Sequence, residues 1–318
     1  MKIVFMGTPD FAVPSLQAIL DSGHMAAGVF TQPDKPKGRG HALTPPPVKV
    51  LAERYQIPVF QPRTLRAEET EAQIRKISPD LIVVVAYGKI LPPEILKIPL
   101  NGCVNVHASL LPKYRGAGPI QWSILNGETV TGVTTMYMGE GLDTGDILLQ
   151  KETAIGENET AGELYDRLSE IGATLLMETI GRMEQGNLAP VRQDDEQATY
   201  APMLTKEMSL LDFSCPAEKV HNKIRGLSPW PCAQAQLGGK RLKIYKSEIV
   251  HTIDMRQAVC GSIVDGKEFI VACGEGSAIR LLEVQGEGAR RMSGAEFLRG
   301  HPVSLGERLS PIKQEEKE

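Results

Sequence analysis

The sequence predicts an α/β fold, a doubly wound and mostly parallel sheet, followed by a small β-barrel domain. Three observations carry this reading. Strand-like and helix-like segments alternate over residues 2–183. The run Asp80-Leu81-Ile82-Val83-Val84-Val85-Ala86 is apolar on both faces, as a central parallel strand must be. From Ser209 onward the texture changes to short alternating runs separated by Gly-rich turns. A length of 318 residues accommodates about two such domains.

In chain order, 2–6 is an apolar strand ending at Gly7, and Thr8-Pro9-Asp10 turns into a helix over 11–20, with Asp10 as its expected cap and Pro14 in its first turn. A strand over 25–31, a helix over 48–55, a strand over 57–60 and a helix over 68–77 repeat the pattern. After the central run come a strand over 104–107, a helix over 119–125 and strands over 132–138 and 147–150. A helix over 160–183 closes this part. Leu164, Leu168, Ile171 and Leu175 mark its apolar face, and Thr160 with Glu163 forms a capping box. Residues 186–203 show no periodicity and read as connection. Strands follow over 233–237, 242–248, 261–264, 268–273 and 278–284. The domains are therefore placed at 1–189 and 209–312, with a linker over 190–208 and a charged tail over 313–318.

Composition narrows the class. Hydrophobic residues make up 42% and charged residues 23%, values of a folded globular chain. The net charge of −4 excludes a uniformly basic nucleic-acid binder, yet it is unevenly spread: residues 1–208 sum to −6 and the remainder to +2. Five cysteines without close pairing suggest neither a disulfide framework nor a zinc site, so no metal is expected. Without a signal-like N-terminal segment or a run approaching the roughly 18 apolar residues of a membrane span, the expected location is the cytoplasm.

Four motifs bear on chemistry. Gly7-Thr8-Pro9-Asp10-Phe11 follows the first strand, but the second and third glycines of a dinucleotide fingerprint are absent, which favours a plain tight turn. In Val104-Asn105-Val106-His107, Asn105 and His107 sit two apart, so their side chains share one face at the C-terminal end of a strand, where open α/β sheets place ligands. An amide donor and an imidazole aimed at one point suit an oxyanion and a proton transfer; an isolated pair of this kind would more simply be buried and hydrogen-bonded. Gly141-Leu142-Asp143-Thr144-Gly145-Asp146 offers two carboxylates on a turn. Asp146 reads as solvated, and Asp143 matters only if it faces the same pocket. The stretch 31–47 is long, Gly/Pro-rich and basic. Its Lys35, Lys37 and Arg39 fit either a phosphate backbone or ordinary surface charge.

Taken together, Gly7 to Phe11, the run Asn105 to Gly116 (Asn-x-His-x-Ser-Leu-Leu-Pro-x-Tyr-Arg-Gly) and the Gly141 to Asp146 turn resemble the methionyl-tRNA formyltransferase family over nearly the whole chain. The resemblance implies a Rossmann-like formyltransferase domain and an OB-like C-terminal domain. It implies 10-formyltetrahydrofolate as formyl-donor substrate, methionyl-initiator tRNA as acceptor, and a monomer. Asn105, His107 and Asp143 would then be catalytic: Asn105 and His107 stabilise the tetrahedral oxyanion, and His107 and Asp143 handle protons in an order left open. Ser109, Leu110, Leu111 and Pro112 would line the folate site, with the pterin near Ile90 and Leu91. Arg39 would enter the acceptor stem, and Lys35 and Lys37 would hold phosphate. In the C-terminal part, Lys206, Lys223, Arg225, Lys240, Arg241 and Lys243 are offered for non-specific backbone contact. The rival within the same chemistry is a folate-dependent formyltransferase acting on a small amine, such as an amino-sugar nucleotide. An RNA-binding protein with a retired catalytic domain is disfavoured by the intact Asn105, His107 and Asp143, and a nucleotide-linked oxidoreductase by the incomplete glycine fingerprint.

Overall fold

The computed structural model describes residues 1–37, 42–251 and 257–312. They form two compact units. Met1–Pro119, Thr131–Thr153 and Tyr165–Ala201 make the first; Ile120–Val130, Ala154–Leu164 and the described residues from Pro202 onward make the second.

The chain runs through β1 (Lys2–Gly7), α1 (Val13–Asp21), β2 (Met25–Phe30), β3 (Lys35–Lys37), β4 (Ala42–Thr44), α2 (Pro47–Arg54), β5 (Val59–Phe60), α3 (Glu68–Ile77), β6 (Leu81–Val85), α4 (Pro93–Leu96), β7 (Cys103–His107), β8 (Arg115–Gly116), α5 (Pro119–Leu125), β9 (Val130–Tyr137), β10 (Ile147–Ala154), α6 (Ala161–Glu184) and β11 (Tyr200–Ala201). Seven strands form one sheet in the order β10-β9-β7-β6-β1-β2-β5. From β5 to β7 they run parallel, and β9 joins β7 antiparallel. The apolar 80–86 run does form the fully buried β6 at its middle. The chain leaves β1 toward β2 and β5, then returns to β6 and β7 on the other side. The order reverses between β1 and β6, where Gly7 and Val85 lie side by side at the strand ends. Three polar bonds tie this point together: the Thr8 hydroxyl and the Gln32 amide both donate to the Tyr87 carbonyl, at 3.2 and 3.0 Å, and the Gln32 N–H reaches Thr8 Oγ1 at 3.4 Å.

Three local expectations are revised. Asp10 caps nothing. The first helix opens through a 3-10 turn at Asp10–Ala12, and the Phe11 N–H is taken by the Tyr165 hydroxyl at 2.9 Å, a partner far away in sequence. The ends of the long basic stretch are a hairpin rather than loop, with Lys35 opposite Thr44 and Lys37 opposite Ala42; Arg39 lies outside the described residues. Its base is held where Lys49 Nζ lies 3.0 and 2.9 Å from the two Asp34 carboxylate oxygens and 3.0 Å from Gln61 Oε1. Hydrogen bonds from Gln61 and Lys49 keep the Asp34 carboxyl below its ordinary 3.8. Finally, the aperiodic segment after α6 is structured as far as residue 201: Val191 bridges Ile147, and β11 pairs parallel with β8. Side-chain and single-strand contacts fix it, and these leave no period in the sequence.

The second unit contains α7 (Ala217–Gly226), β12 (Ala233–Leu237), β13 (Lys240–Val250), β14 (Ile263–Asp265), β15 (Ile270–Ala272), β16 (Ala278–Gly286), β17 (Met292–Ser293) and α8 (Gly294–Gly300). Its antiparallel sheet follows β12-β13-β16-β15-β14, with β17 on β16. The last described segment joins the two edges. Ser310 bridges Gln236 on β12, while Arg308 bridges Ser262 and the Ile263 N–H donates to the Glu307 carbonyl at 2.7 Å beside β14, so the sheet closes on itself. Val220 and Ile224 of α7 and Phe297 of α8 bury into this core, where the rings of Phe269 and Phe297 stack at 5.8 Å. Neither helix was expected from the strand-like texture.

Two basic residues proposed for backbone contact are structural instead. Arg225 is buried, donating Nη1 to the Gly156 and Glu159 carbonyls at 3.0 and 3.3 Å and Nε to Asn222 at 2.8 Å. Lys223 Nζ donates to the Leu210 carbonyl at 2.5 Å. Lys206, Lys240 and Arg241 are exposed, and Lys243 is half-buried.

His221 of α7 is buried, its Nδ1 2.9 Å from the Ser247 hydroxyl and its Nε2 3.0 Å from the Glu157 carbonyl. Burial depresses its pKa below the ordinary 6.5. The unfolded chain therefore takes up this proton first as pH falls, so the contribution of His221 is complete above 6.5 and is lost below it. Urea unfolding from pH 7.5 to 5 is expected to show a shallower loss of stability in His221→Gln than in the parent chain; identical slopes would contradict this.

Candidate active site

β7 is a central strand, and its alternation decides what meets solvent. Val104 and Val106 are buried; on the Val106 side Gly172 of α6 comes so close that a Cβ there would stand 2.9 Å from Val106 Cγ1. Asn105 and His107 occupy the opposite face. Register with β6 and β9 holds them from both sides: Asn105 lies between Val84 and Met136, and His107 opposite Thr134. Asn105 is half-buried, and its side-chain amide has no hydrogen-bond partner among the described residues. His107 is 6% exposed, with Nε2 2.9 Å from the Tyr114 carbonyl. A carbonyl can only accept, so Nε2 carries a hydrogen. Nδ1 is thereby left facing Asp143 Oδ2 at 3.7 Å, too far for a hydrogen bond and close enough for charge attraction once the ring takes up a proton.

Asp143 reaches this position from the turn between β9 and β10. Its backbone is left-handed, at φ +52°, a conformation that Asp tolerates better than most residues. A Cβ on Gly145 would lie 1.7 Å from the Tyr137 carbonyl oxygen, so only glycine fits there. Asp143 Oδ2 accepts the Gly116 N–H at 2.8 Å. Gln193 Nε2 donates to the carbonyls of Asp143 and Gly145, at 2.8 and 2.7 Å. Asp146 is exposed.

The loop from Ser109 to Gly116 is fixed by residues with no place in the sequence motifs. The Thr134 hydroxyl donates to the Ser109 carbonyl at 2.6 Å and accepts the Leu111 N–H at 3.2 Å, while Gln150 Nε2 donates to the Leu111 carbonyl at 2.9 Å. Thr199 Oγ1 accepts the Tyr114 N–H at 2.8 Å. Ser109 and Leu111 are buried, with Ser109 Oγ donating to the Lys113 carbonyl at 2.7 Å; Leu110 and Pro112 are half-buried. Of the other pair, Ile90 is 77% exposed and Leu91 is buried. Both line a cleft of about 590 Å³ together with Leu65, Arg66, Glu68 and Glu140. The structure thus brings His107 and Asp143 together on the β7 side and puts Ile90 and Leu91 in a cleft shared with the turn residue Glu140. Lys35 is exposed on the basic hairpin, of which Lys37 forms the last residue of β3.

Because the Gly145 position has no room for a side chain, Gly145→Ala is expected to destabilise the chain by about 2 kcal/mol or more and to displace Asp143. Thermal unfolding together with an activity assay checks both; a stable and fully active variant would contradict the geometry.

Residues 1–180 match the formyl transferase family and residues 203–302 the formyl transferase C-terminal domain. The methionyl-tRNA formyltransferase of Trichlorobacter lovleyi is 53% identical over 310 residues, 98% of this chain and 97% of that protein; that of Caldanaerobacter subterraneus subsp. tengcongensis is 50% identical, covering 96% and 99%. Among solved structures, an N-formyltransferase from Helicobacter canadensis, in complex with folinic acid and dTDP-3-aminofucose, shares the fold at a TM-score of 0.68 with 22% identity, over 88% of this chain and 98% of that one. HypX from Aquifex aeolicus in complex with tetrahydrofolic acid aligns at 0.65 with 17% identity, over all of this chain and 50% of that one. With an imidazole and a carboxylate facing each other at the end of a parallel strand, and relatives at half identity over almost the entire length, the chain belongs to the methionyl-tRNA formyltransferase family.

Proposed function

We propose that this chain transfers the formyl group of 10-formyltetrahydrofolate to the α-amino group of methionyl-initiator tRNA, acting as a monomer in the cytoplasm. The observation that carries the reading is the arrangement on β7: a half-buried Asn105 amide without a partner, beside an imidazole whose Nδ1 faces Asp143.

The amine attacks the formyl carbon and gives a tetrahedral species with an anionic oxygen. The Asn105 side-chain N–H donates to that oxygen, which is worth about 3 kcal/mol for a single well-placed donor. Nε2–H of His107 is committed to the Tyr114 carbonyl, so Nδ1 is the ring position that exchanges a proton. It accepts the proton lost by the attacking ammonium nitrogen and returns it to N10 as the C–N10 bond breaks, and while the proton resides on Nδ1 the Asp143 carboxylate faces it. The folate lies with its pterin in the cleft at Ile90 and Leu91, a mixed apolar and polar slot suited to a flat heterocycle with several donors. Since Ser109 and Leu111 are buried, that loop meets the folate through backbone and through Leu110 and Pro112. Lys35 and Lys37 of the basic hairpin, together with Arg39, take the acceptor stem, and Lys206 with Lys240, Arg241 and Lys243 of the 209–312 domain adds backbone contact.

The deciding experiment compares formyl transfer from 10-formyltetrahydrofolate to Met-charged initiator tRNA, free methionine and an amino-sugar nucleotide. Product on the charged tRNA alone is expected; transfer to the sugar amine would replace the acceptor and leave the chemistry. In single-turnover assays Asn105→Ala and His107→Ala are each expected to lose about a hundredfold or more, and near-parental rates would sink the catalytic assignment. Arg39→Ala should reduce kcat/KM for charged tRNA and lower the slope of log kcat/KM against log salt by about one. An unchanged slope would remove that residue from the interface.

A further inference from the structure

We infer that Gln193 is a positioning residue for the reaction, a side chain that ties the backbone of the Asp143 turn to Arg115 in the loop following β7. The inference rests on the reading of Asp143 and His107 as the pair that handles the proton. Gln193 is 5% exposed, and its amide is fully used: Nε2 donates to the carbonyls of Asp143 and Gly145, and Oε1 accepts from Arg115 Nε at 3.0 Å and Nη2 at 2.8 Å. The orientation of the amide is fixed by chemistry, because carbonyls only accept and a guanidinium only donates.

The same stretch holds the other side of the site. The Thr199 carbonyl accepts the Arg115 N–H at 2.9 Å, and Thr199 Oγ1 accepts the N–H of Tyr114, whose own carbonyl takes the His107 Nε2 hydrogen. The next amide along, Gly116 N–H, is the one bonded to Asp143 Oδ2. One stretch of chain therefore touches the backbone on both sides of the His107–Asp143 pair, and Gln193 supplies its side-chain bonds to the Asp143 turn. That turn is flanked by Gly141 and Gly145 and has little stiffness of its own. Without Gln193 two carbonyls lose their donors, the left-handed Asp143 relaxes, and its carboxylate leaves Nδ1. The effect falls on the chemical step, since Gln193 is buried and its amide is fully used within the protein.

The test measures formyl transfer to Met-charged initiator tRNA by Gln193→Ala and Gln193→Glu, each alone and combined with Asp143→Asn, with thermal unfolding of every variant. Gln193→Glu keeps the volume and the Arg115 contact, so it carries the test should Gln193→Ala fail to fold. The expected result is a fall in kcat of roughly a hundredfold, the loss typical of a misplacement of about 1 Å, with both KM values within about twofold. In the Asp143→Asn background the same Gln193 change should add less than about threefold, because the group it positions is already gone. Multiplying losses in the double variant, or a parental kcat in both Gln193 variants while Asp143→Asn is impaired, would overturn the inference and leave the catalytic reading standing. Parental activity in Asp143→Asn alone would overturn both.

Discussion

A carboxylate must be held half out of water, 3.7 Å from an imidazole, and much of the structure around β7 answers that requirement. Moving an unpaired carboxylate away from solvent costs several kcal/mol, a penalty removed only by hydrogen bonds and opposite charge. Asp143 receives one such bond from Gly116 N–H. That amide can reach it only because the chain after β7 doubles back through Tyr114 and Gly116, both at positive φ, and because β8 is paired with β11 along that stretch. The glycine at 145, the left-handed Asp143 and the short β8–β11 pair are separate consequences of one electrostatic demand.

The two strands added beyond the parallel core have a chemical use as well as a packing one. β9 brings Thr134 opposite His107, and its hydroxyl bonds both the Ser109 carbonyl and the Leu111 N–H, while Gln150 on β10 takes the Leu111 carbonyl. A buried loop with polar backbone would otherwise carry unsatisfied groups, each worth about 1–3 kcal/mol. An antiparallel neighbour supplies them at fixed register, so the loop following β7 takes its place from the sheet. This explains why Ser109 and Leu111 point inward: in the motif they serve the loop's own shape.

The legibility of these features in the sequence follows the range of the interactions that make them. α3, α5 and β12 begin and end where periodicity and turn residues place them, because those signals are local. Strand alternation puts Asn105 and His107 on one face and the glycine-flanked turn presents Asp143, but their joint role is read from the family resemblance and not from these local patterns. α8 carried a usable signal in the Ser293 to Glu296 capping box, and α7 in the spacing of Val220 and Ile224, but the surrounding strand texture outweighed both. Gln193, Thr134, Gln150 and Thr199 were not readable, since each acts by bonding a backbone atom dozens of residues away. The helix start has the same character: the Phe11 N–H beside Asp10 is taken by the Tyr165 hydroxyl, 154 positions along, which no local signal shows.

The division of labour between sheet and hairpin reflects two different tolerances. On the proposed reading, stabilising an oxyanion and moving a proton both require groups held within about half an ångström of their targets, and Asn105 and His107 are set in a central strand with neighbours on both sides. Attraction to phosphate falls off over several ångströms and tolerates movement, so basic residues on a hairpin would suffice for it. Such a hairpin still needs a fixed origin. Lys49 and Gln61 supply it by gripping Asp34 one residue before β3, with Gln61 Nε2 also donating to the Gln32 carbonyl at 2.9 Å. Gln32 in turn binds the Tyr87 carbonyl at the switch point of the sheet. The chain of bonds from the hairpin base to Tyr87 just past β6 is therefore continuous, so the basic hairpin takes its position from the same sheet that holds Asn105 and His107.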